Sequence, residues 1–295
     1  MTTEINLTPT ASLTEIARSD DPVSGAARAP ITARTWGTTS ECRAGVLMVH
    51  GLGGHSGWFE AMGRRMKVRR IFALAHDHAG FGKRRKETFL SFNQWLDDTQ
   101  IAYDFVREKV GDKPIYVMGN SMGALVALKL ASRIKPDGMV LFSPGFDGHP
   151  QTFDWLYRIR AVWTAMVAPE TELALPYTSE LISRESNVRK WLDSDVEHRT
   201  KLPAKMLFEL LMLSQDVQNR VKSAPCPVLM LTAGHEKIVN NKVNEAVFER
   251  LHAPSKQKHL YPEAWHDLMF DPVLDDVIER VSGWITETSP QRIVV

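Results

Sequence analysis

Short apolar runs alternate with longer amphipathic stretches along most of the chain, and this alternation limits the possible folds more than any other feature of the sequence. The runs lie at residues 45–50, 70–77, 114–119, 138–145, 227–234 and 258–264. Several are apolar at both alternating positions, as strands are when helices cover both faces of a sheet. Residues 92–110 and 273–285 carry apolar side chains at helical three-to-four spacing. The pattern predicts an α/β fold with a mostly parallel central sheet flanked by helices.

The composition excludes several classes of protein. The chain has 36 lysines and arginines against 35 aspartates and glutamates, and a net charge of +1 does not favour a nucleic-acid partner. The two cysteines, Cys42 and Cys226, belong to no CxxC pair and cannot form a disulfide framework or a zinc site. No apolar run reaches the ~18 residues that span a bilayer, and the amino terminus lacks the apolar core of a secretory signal. We therefore expect a cytoplasmic globular protein without a metal.

Two segments depart from the alternation. Residues 1–30 are rich in Thr, Ser, Ala and Pro and have no sustained period, which predicts an N-terminal extension that is loosely ordered or lies across the body. Residues 147–223 contain no convincing strand but carry two apolar helical faces. This predicts a helical cap, or lid, inserted between the two parts of an α/β core, residues 31–146 and 224–295.

The apolar faces of the predicted cap could bind a substrate. The first contains Trp155, Ile159, Trp163 and Met166, and the second contains Met206, Leu207, Leu210, Leu211 and Leu213. Such stripes could simply pack on the core, but a cap also needs an apolar underside. We therefore expect a substrate pocket lined by Trp155, Trp163, Met166, Met206 and Leu210.

A GxSxG pentapeptide at residues 119–123 provides a candidate nucleophile, Ser121. The pattern alone arises by chance, and a turn without chemistry is the simplest alternative. Its context is more specific, because a predicted strand runs into it and a predicted helix follows at once. That strand–turn–helix arrangement is typical of a nucleophile elbow. It predicts that Ser121 lies at the carboxyl edge of the sheet, where α/β proteins bind their ligands.

A serine hydroxyl needs a base to accept its proton. His266 follows the last predicted strand and precedes the last predicted helix, which is the position expected for that base. An acid must orient the imidazole, and two carboxylates follow strands from which they could reach it. We prefer Glu236, after the run at 227–234, and keep Asp147, after the run at 138–145, as the alternative.

Backbone amides could stabilise the oxyanion formed during acyl transfer. The sequence His50-Gly51-Leu52-Gly53-Gly54 follows the run at 45–50, so that its N–H groups can point toward Ser121. We assign the N–H groups of Leu52 and Met122 to the oxyanion hole. The glycine-rich run has neither the GxGxxG order of a dinucleotide site nor the GK[ST] of a P-loop, which makes phosphate binding a poor alternative.

These motifs together resemble a known family. The segments HGLGGHSGWF, AHDHAGFG, GNSMGA, GMVLFSPG, TAGHEKIV and YPEAWHDL are similar to successive signatures of the α/β-hydrolase superfamily, and more narrowly of its monoacylglycerol lipase and lysophospholipase branch. The resemblance covers residues 33–290. It implies Ser121 as nucleophile, His266 as base and the position of Glu236 as acid, although this branch usually has aspartate there.

The residues and the resemblance predict a cofactor-free serine hydrolase. Its expected substrate is a small apolar or lipid-like carboxylic ester, cleaved by a Ser-His-acid triad through an acyl-enzyme. The same triad can cleave thioesters, amides or activated carbon–carbon bonds, and a ligand-binding homologue without turnover is a further alternative. The basic run at 83–86 could also support peripheral contact with anionic lipid, although a solvated surface explains it as well.

Overall fold

The structure is a computed structural model of the chain, and it describes residues 5–19 and 28–289. The strands in this part of the chain are, in order, β1 (Ser12–Ile16), β2 (Ile31–Trp36), β3 (Ala44–Val49), β4 (Ile71–His76), β5 (Ile115–Asn120), β6 (Gly138–Phe142), β7 (Glu172–Ala174), β8 (Lys201–Pro203), β9 (Val228–Ala233) and β10 (Lys256–Tyr261). The helices are α1 (Glu60–Val68), α2 (Phe92–Val110), α3 (Met122–Ile134), α4 (Trp155–Val167), α5 (Ser179–Ile182), α6 (Ser186–Ser194), α7 (Ala204–Arg220), α8 (Asn241–Arg250) and α9 (Leu274–Thr288).

One eight-stranded sheet organises the fold, with the strand order β1-β2-β4-β3-β5-β6-β9-β10. All neighbouring pairs from β4 to β10 are parallel, whereas β1 with β2 and β2 with β4 are antiparallel. Each of the six apolar runs forms a strand of this sheet, and the predicted mostly parallel architecture is confirmed.

Helices cover both faces of the sheet. Along β3, Leu47 and Val49 join the apolar cluster that contains α2, α3, α7 and α8, whereas Val46 and Met48 join the cluster that contains α1 and α9. Successive side chains of a strand point to opposite faces, so a strand covered on both sides must be apolar throughout. This explains why the run at 45–50 shows no alternation of apolar and polar residues.

Part of the predicted N-terminal extension joins the sheet. Ser12–Ile16 forms β1 and pairs in antiparallel register with residues 31–35 of β2, at the edge of the sheet. Neither strand was predicted from the sequence. β1 is largely exposed, and only Ile16 is fully buried, so that it carries little hydrophobic pattern. The rest of the predicted extension includes residues 1–4 and 20–27, which lie outside the described residues.

The segment between β6 and β9 contains α4, α5, α6 and α7. It also contains a short antiparallel pair, β7 with β8, and the expectation that residues 147–223 hold no strand is therefore wrong. Each of these strands has three residues, which is too short to show a period, and Leu173 and Leu202 are buried there. α7 packs on the sheet side of the segment, where Leu207 and Leu213 enter the core cluster of α2 and α3.

Candidate active site

Ser121 lies in a sharp turn between β5, which ends at Asn120, and α3, which begins at Met122. Its φ angle of +52° is in the left-handed region, which residues other than glycine rarely adopt. The flanking glycines permit this turn. A Cβ atom at Gly119 would lie 2.4 Å from the carbonyl oxygen of Gly123, and one at Gly123 would lie 2.1 Å from the carbonyl oxygen of Val49. The local geometry therefore has the strain and close packing of a nucleophile elbow.

The imidazole of His266 is bound to Glu236. The Nδ1 atom lies 2.7 Å from Oε2 of Glu236, and both side chains are almost completely buried. The other carboxylate oxygen of Glu236 accepts hydrogen bonds from the backbone N–H groups of Ile238, at 2.8 Å, and Val239, at 3.0 Å. These two amides fix the carboxylate, which in turn orients the imidazole. In the neutral ring with Nδ1–H donating to Glu236, Nε2 is the nitrogen that can accept a proton.

Asp147, the alternative acid, is placed elsewhere. Its Oδ1 accepts a hydrogen bond from the guanidinium of Arg158 at 2.7 Å, and its side chain is about one-third exposed. Of the two carboxylates that the sequence left open, the structure therefore joins Glu236 to the imidazole. Glu236 lies in the loop that follows β9, which ends at Ala233.

The opposite charges of His266 and Glu236 stabilise each other, and each shifts the pKa of the other group. Burial by itself would lower the pKa of His266, but the negative charge of Glu236 and its hydrogen bond raise it to about 9. Burial would likewise raise the pKa of Glu236, yet the charge and hydrogen bond of His266, together with the two backbone amides, lower it. The site therefore favours an imidazolium beside a carboxylate, which is the state that a serine hydrolase passes through as the serine proton is taken up.

Ser121 lies where two cavities meet. A cavity of about 150 Å³ is lined by Ser121 and by mostly apolar side chains of the inserted segment. A second cavity, of about 10 Å³, is lined by Ser121 and His266 together with Asn120 and Asp267. The structure thus brings the predicted nucleophile and base to the walls of one small cavity, which is about large enough for a single water molecule.

The two residues assigned to the oxyanion hole, Leu52 and Met122, lie beside Ser121. Met122 is the first residue of α3, so its N–H has no acceptor within the helix. The loop that carries Leu52 packs directly on the serine, because a Cβ atom at Gly51 would lie 3.1 Å from Cβ of Ser121. Leu52 and Met122 both line the larger cavity. Leu52 and Met122 therefore lie beside Ser121, where backbone N–H groups can stabilise a developing negative charge.

His50 holds this loop in place. Its Nε2 accepts a hydrogen bond from the N–H of His78 at 3.1 Å, and its Nδ1 lies 2.8 Å from the carbonyl oxygen of Gly51. Burial lowers the pKa of His50 to about 4, so the ring is neutral at pH 7.

Within the described residues, no group of three or more His, Cys, Asp or Glu side chains is arranged to hold a metal ion.

The residues that line the larger cavity differ from those predicted for the substrate pocket. Leu210 lines it as expected. Trp155, Trp163 and Met166 are instead 67%, 63% and 76% exposed, and Met206 is buried in the core, where a Cβ atom at Gly80 would touch its Cε. The predicted roles of these four residues are therefore wrong. α4 is apolar on more than one side, and sequence alone could not indicate which side faces inward.

Other residues of α4 and α7 form the cavity wall. Tyr157, Ala161 and Val162 of α4 and Leu207, Phe208, Leu210 and Leu211 of α7 line it. Tyr177, which sequence analysis did not identify, borders both cavities, and its hydroxyl donates a hydrogen bond to the carbonyl oxygen of Leu52 at 3.1 Å. No sequence pattern relates two residues 125 positions apart, so only the fold reveals this contact.

The parallel sheet, the strained serine at the end of β5 and the buried imidazole–carboxylate pair define an α/β-hydrolase. Residues 40–273 match the sequence profile of the family described as serine aminopeptidase, S33, and the chain belongs to this family.

The chain is also similar to monoglyceride lipases and monoacylglycerol lipases. The monoglyceride lipase of Homo sapiens is 25% identical over 262 residues, which cover 86% of each protein. A soluble variant of the monoglyceride lipase of Saccharomyces cerevisiae, solved with a substrate analogue, superposes with a TM-score of 0.85 at 18% identity over 97% of this chain and 98% of that one. The monoacylglycerol lipase of Paleococcus ferrophilus gives a TM-score of 0.77 at 22% identity over 88% and 99%. The predicted α/β-hydrolase fold, and the resemblance to this branch, are confirmed.

Proposed function

We propose that this chain is a serine esterase that cleaves lipid-like carboxylic esters, with monoacylglycerol-like or lysophospholipid-like substrates, by a Ser121–His266–Glu236 triad. The observation that carries the proposal is the hydrogen-bonded His266–Glu236 pair on the same cavity as the strained Ser121. The similarity to monoglyceride lipases supports the substrate class. No cofactor takes part in the proposed reaction.

The mechanism proceeds through an acyl-enzyme. Ser121 attacks the ester carbonyl while Nε2 of His266 accepts its proton, and Glu236 stabilises the resulting imidazolium. The N–H groups of Leu52 and Met122 bind the oxyanion. The tetrahedral intermediate then collapses as His266 protonates the leaving alcohol. A water molecule, activated by the same imidazole, releases the acid and restores Ser121.

The larger cavity is the proposed site for the acyl chain. Its walls are mainly aromatic and aliphatic, and it begins at Ser121. Transfer of a methylene group from water to an apolar site contributes about 0.8 kcal/mol. Each added methylene should therefore raise kcat/KM by about fourfold until the cavity is filled.

We further propose that residues 147–223 form a cap whose outer surface contacts lipid. The exposed large apolar residues of α4 are Trp155, Leu156, Ile159, Trp163, Met166 and Val167. A helix with such a surface can lie in the interfacial region of a bilayer. The basic run at 83–86 is a weaker candidate for contact with anionic lipid, because Arg84 is buried and bound to Asp98 and Glu87.

No helix within residues 5–19 and 28–289 has the length and apolar content needed to cross a membrane.

Replacement of the nucleophile tests the proposal. Ser121→Ala should reduce hydrolysis of p-nitrophenyl esters by at least about 10⁴-fold while the circular dichroism spectrum and Tm stay within error of the unmodified protein. The matched control is Ser282→Ala, which removes an exposed hydroxyl on α9 and should retain full activity. Ester turnover by Ser121→Ala above about one per cent of the original rate would exclude the serine mechanism.

The family description favours amide hydrolysis as a second candidate. The same triad can cleave an amide, so the two activities differ in the substrate that the cavity accepts. A direct comparison of p-nitrophenyl butyrate with alanine p-nitroanilide separates them. We expect kcat/KM to favour the ester by at least about 10²-fold beyond the ratio of the uncatalysed rates. A preference for the anilide would identify a peptidase.

A further inference from the structure

Asp267 is a buried carboxyl beside the proposed base with no role in the mechanism described so far. It directly follows His266, is 2% exposed and lines the small cavity that contains Ser121. It occupies the N-cap position of a single 3₁₀ turn, Leu268–Phe270, but its side chain makes no capping hydrogen bond. The usual reason for aspartate at such a position therefore does not apply.

The side chain of Asp267 is bound instead to the residue before the nucleophile. Its Oδ1 accepts a hydrogen bond of 2.5 Å from Nδ2 of Asn120, the last residue of β5. Asn120 is 1% exposed, and its Oδ1 is buried without a hydrogen-bond partner. A carboxyl and a half-satisfied amide are costly to bury. The fold retains both at a place where the chain segments of the nucleophile and the base come together.

The titratable groups that act on Asp267 belong to the same site. They are His266 and Glu236, and the charge of Asp267 in turn acts on Tyr177. Burial raises the pKa of Asp267, and the negative charge of Asp267 in turn helps to raise the pKa of His266. The carboxyl thus touches the nucleophile's strand through Asn120 and affects the base through its charge.

Recognition of the substrate is a less suitable role for this pair. The cavity that Asp267 lines has a volume of about 10 Å³, which holds no more than one water molecule. Ile182 forms another wall, and the backbone N–H of Asp267 is tied to its carbonyl oxygen at 3.3 Å.

We propose that the Asn120–Asp267 hydrogen bond is a positioning element that holds the nucleophile and the base at their reactive separation. Asn120 fixes the end of β5 from which Ser121 projects, and Asp267 fixes the loop from which His266 projects. The inference rests on the proposed serine mechanism. Small displacements of reacting groups are costly, since a shift of about 1 Å can reduce a rate by about 10²-fold.

A double-mutant cycle tests the coupling. Asp267→Val and Asn120→Ala should each lower kcat by about 10- to 100-fold and change KM by less than about threefold. The double variant should be no slower than the slower single variant, because either change already removes the same hydrogen bond. Losses that multiply in the double variant, or single variants with unchanged kcat, would overturn the proposal.

Asp267→Asn distinguishes the effect of the hydrogen bond to Asn120 from the effect of the negative charge on His266. Its amide oxygen can still accept from Asn120, so kcat should stay within about threefold of the original. Its loss of negative charge should lower the pKa of His266 and move the acid limb of the rate profile to lower pH. An unchanged acid limb together with a 100-fold loss of kcat would indicate a merely structural role and contradict the inference.

Labelling by a fluorophosphonate provides a readout that does not depend on the ester chosen. The rate of labelling at Ser121 should fall in Asp267→Val and Asn120→Ala in the same proportion as kcat. Normal labelling of the unmodified protein without ester turnover would overturn the proposed substrate alone. Unchanged labelling rates in both variants would overturn the role of the pair alone.

Discussion

Nε2 of His55 lies 2.7 Å from Oδ2 of Asp195, and this contact joins the loop that carries Leu52 to the inserted segment. Nδ1 of the same ring lies 3.1 Å from Oε2 of Glu197. The imidazole is almost completely buried between the two carboxylates. It therefore couples the position of one proposed oxyanion donor to the segment that forms the larger cavity.

The first prediction concerns the stability that His55 contributes. Burial opposes its charge, but the hydrogen bonds to Asp195 and Glu197 raise its pKa above 6.5. Replacement by glutamine leaves Asp195 without its cation, while Glu197 keeps its pair with Arg34 at 2.9 Å, and should lower the free energy of unfolding by about 3 kcal/mol at pH 6. His235→Gln, which changes an exposed ring, should cost less than about 0.5 kcal/mol. Urea unfolding measures both.

The pH dependence of this contribution has a definite sign. A histidine whose pKa is raised on folding adds stability that is complete below its unfolded pKa, about 6.5, and is lost as the pH rises through the folded value. The difference in Tm between the unmodified protein and His55→Gln should therefore be large at pH 6 and shrink in alkaline solution. A difference that grows as the pH rises would contradict a charged His55.

The second prediction concerns the proposed acid. Glu236→Gln removes the charge that stabilises the imidazolium and should lower kcat by about 10³- to 10⁴-fold. Asp147→Asn breaks only the pair with Arg158 and should cost at most about tenfold. Steady-state hydrolysis of p-nitrophenyl butyrate distinguishes the two, with Glu245→Gln on the exposed side of α8 as the control. A larger loss in Asp147→Asn than in Glu236→Gln would assign the acid to the other loop.

The third prediction concerns the rate profile of the unmodified enzyme. His266 acts as a base only when neutral, and Glu236 raises its pKa to about 9 against the opposing effect of burial. kcat/KM should therefore increase through neutral pH, with the midpoint of its acid limb above 6.5 and toward about 9. Initial rates across pH 5–10, corrected for spontaneous hydrolysis, give this midpoint. A midpoint at or below 6.5 is incompatible with the charge pair.

The fourth prediction concerns the N-terminal extension. Arg18 lies 2.6 Å from Glu87 and 3.5 Å from Asp98, and its side chain is 5% exposed. Asp98 also binds Arg84, and burial raises the pKa of Asp98. Arg18→Ala removes one cation from this buried network and should lower the free energy of unfolding by about 3 kcal/mol.

An exposed arginine provides the comparison for Arg18. Arg133 pairs with Asp97 at 3.5 Å, and both side chains are about half exposed. Because solvent screens such a pair, Arg133→Ala should cost less than about 1 kcal/mol. Equal midpoints of urea unfolding for the two alanine variants would show that Arg18 does not anchor the extension.

The sequence predicts those parts of the fold that have a recognisable residue pattern within a short stretch of the chain. The strands β3 to β6, β9 and β10 are each marked by an apolar run, and Ser121 is marked by glycines whose absence of a side chain the turn requires. β1 has no such apolar pattern, because it is mostly exposed and is held by its partner strand and by Arg18.

Contacts between distant segments could not be predicted in the same way. Trp163 and Val162 are adjacent and both apolar, yet only Val162 faces the cavity. That choice depends on how α4 rotates against α7, which the helical period does not specify. The contacts of Tyr177 with Leu52, and of His55 with the inserted segment, likewise join residues more than 100 positions apart.

Mapping the covalent adduct of a fluorophosphonate tests the central claim most directly. The chain is labelled, digested and sequenced by mass spectrometry, with Ser121→Ala treated in parallel. The proposed triad predicts one modified peptide carrying the adduct on Ser121, and no adduct at that position in Glu236→Gln under conditions that label the unmodified protein fully. Modification of a different serine, or no reaction at all in the unmodified protein, would contradict the account.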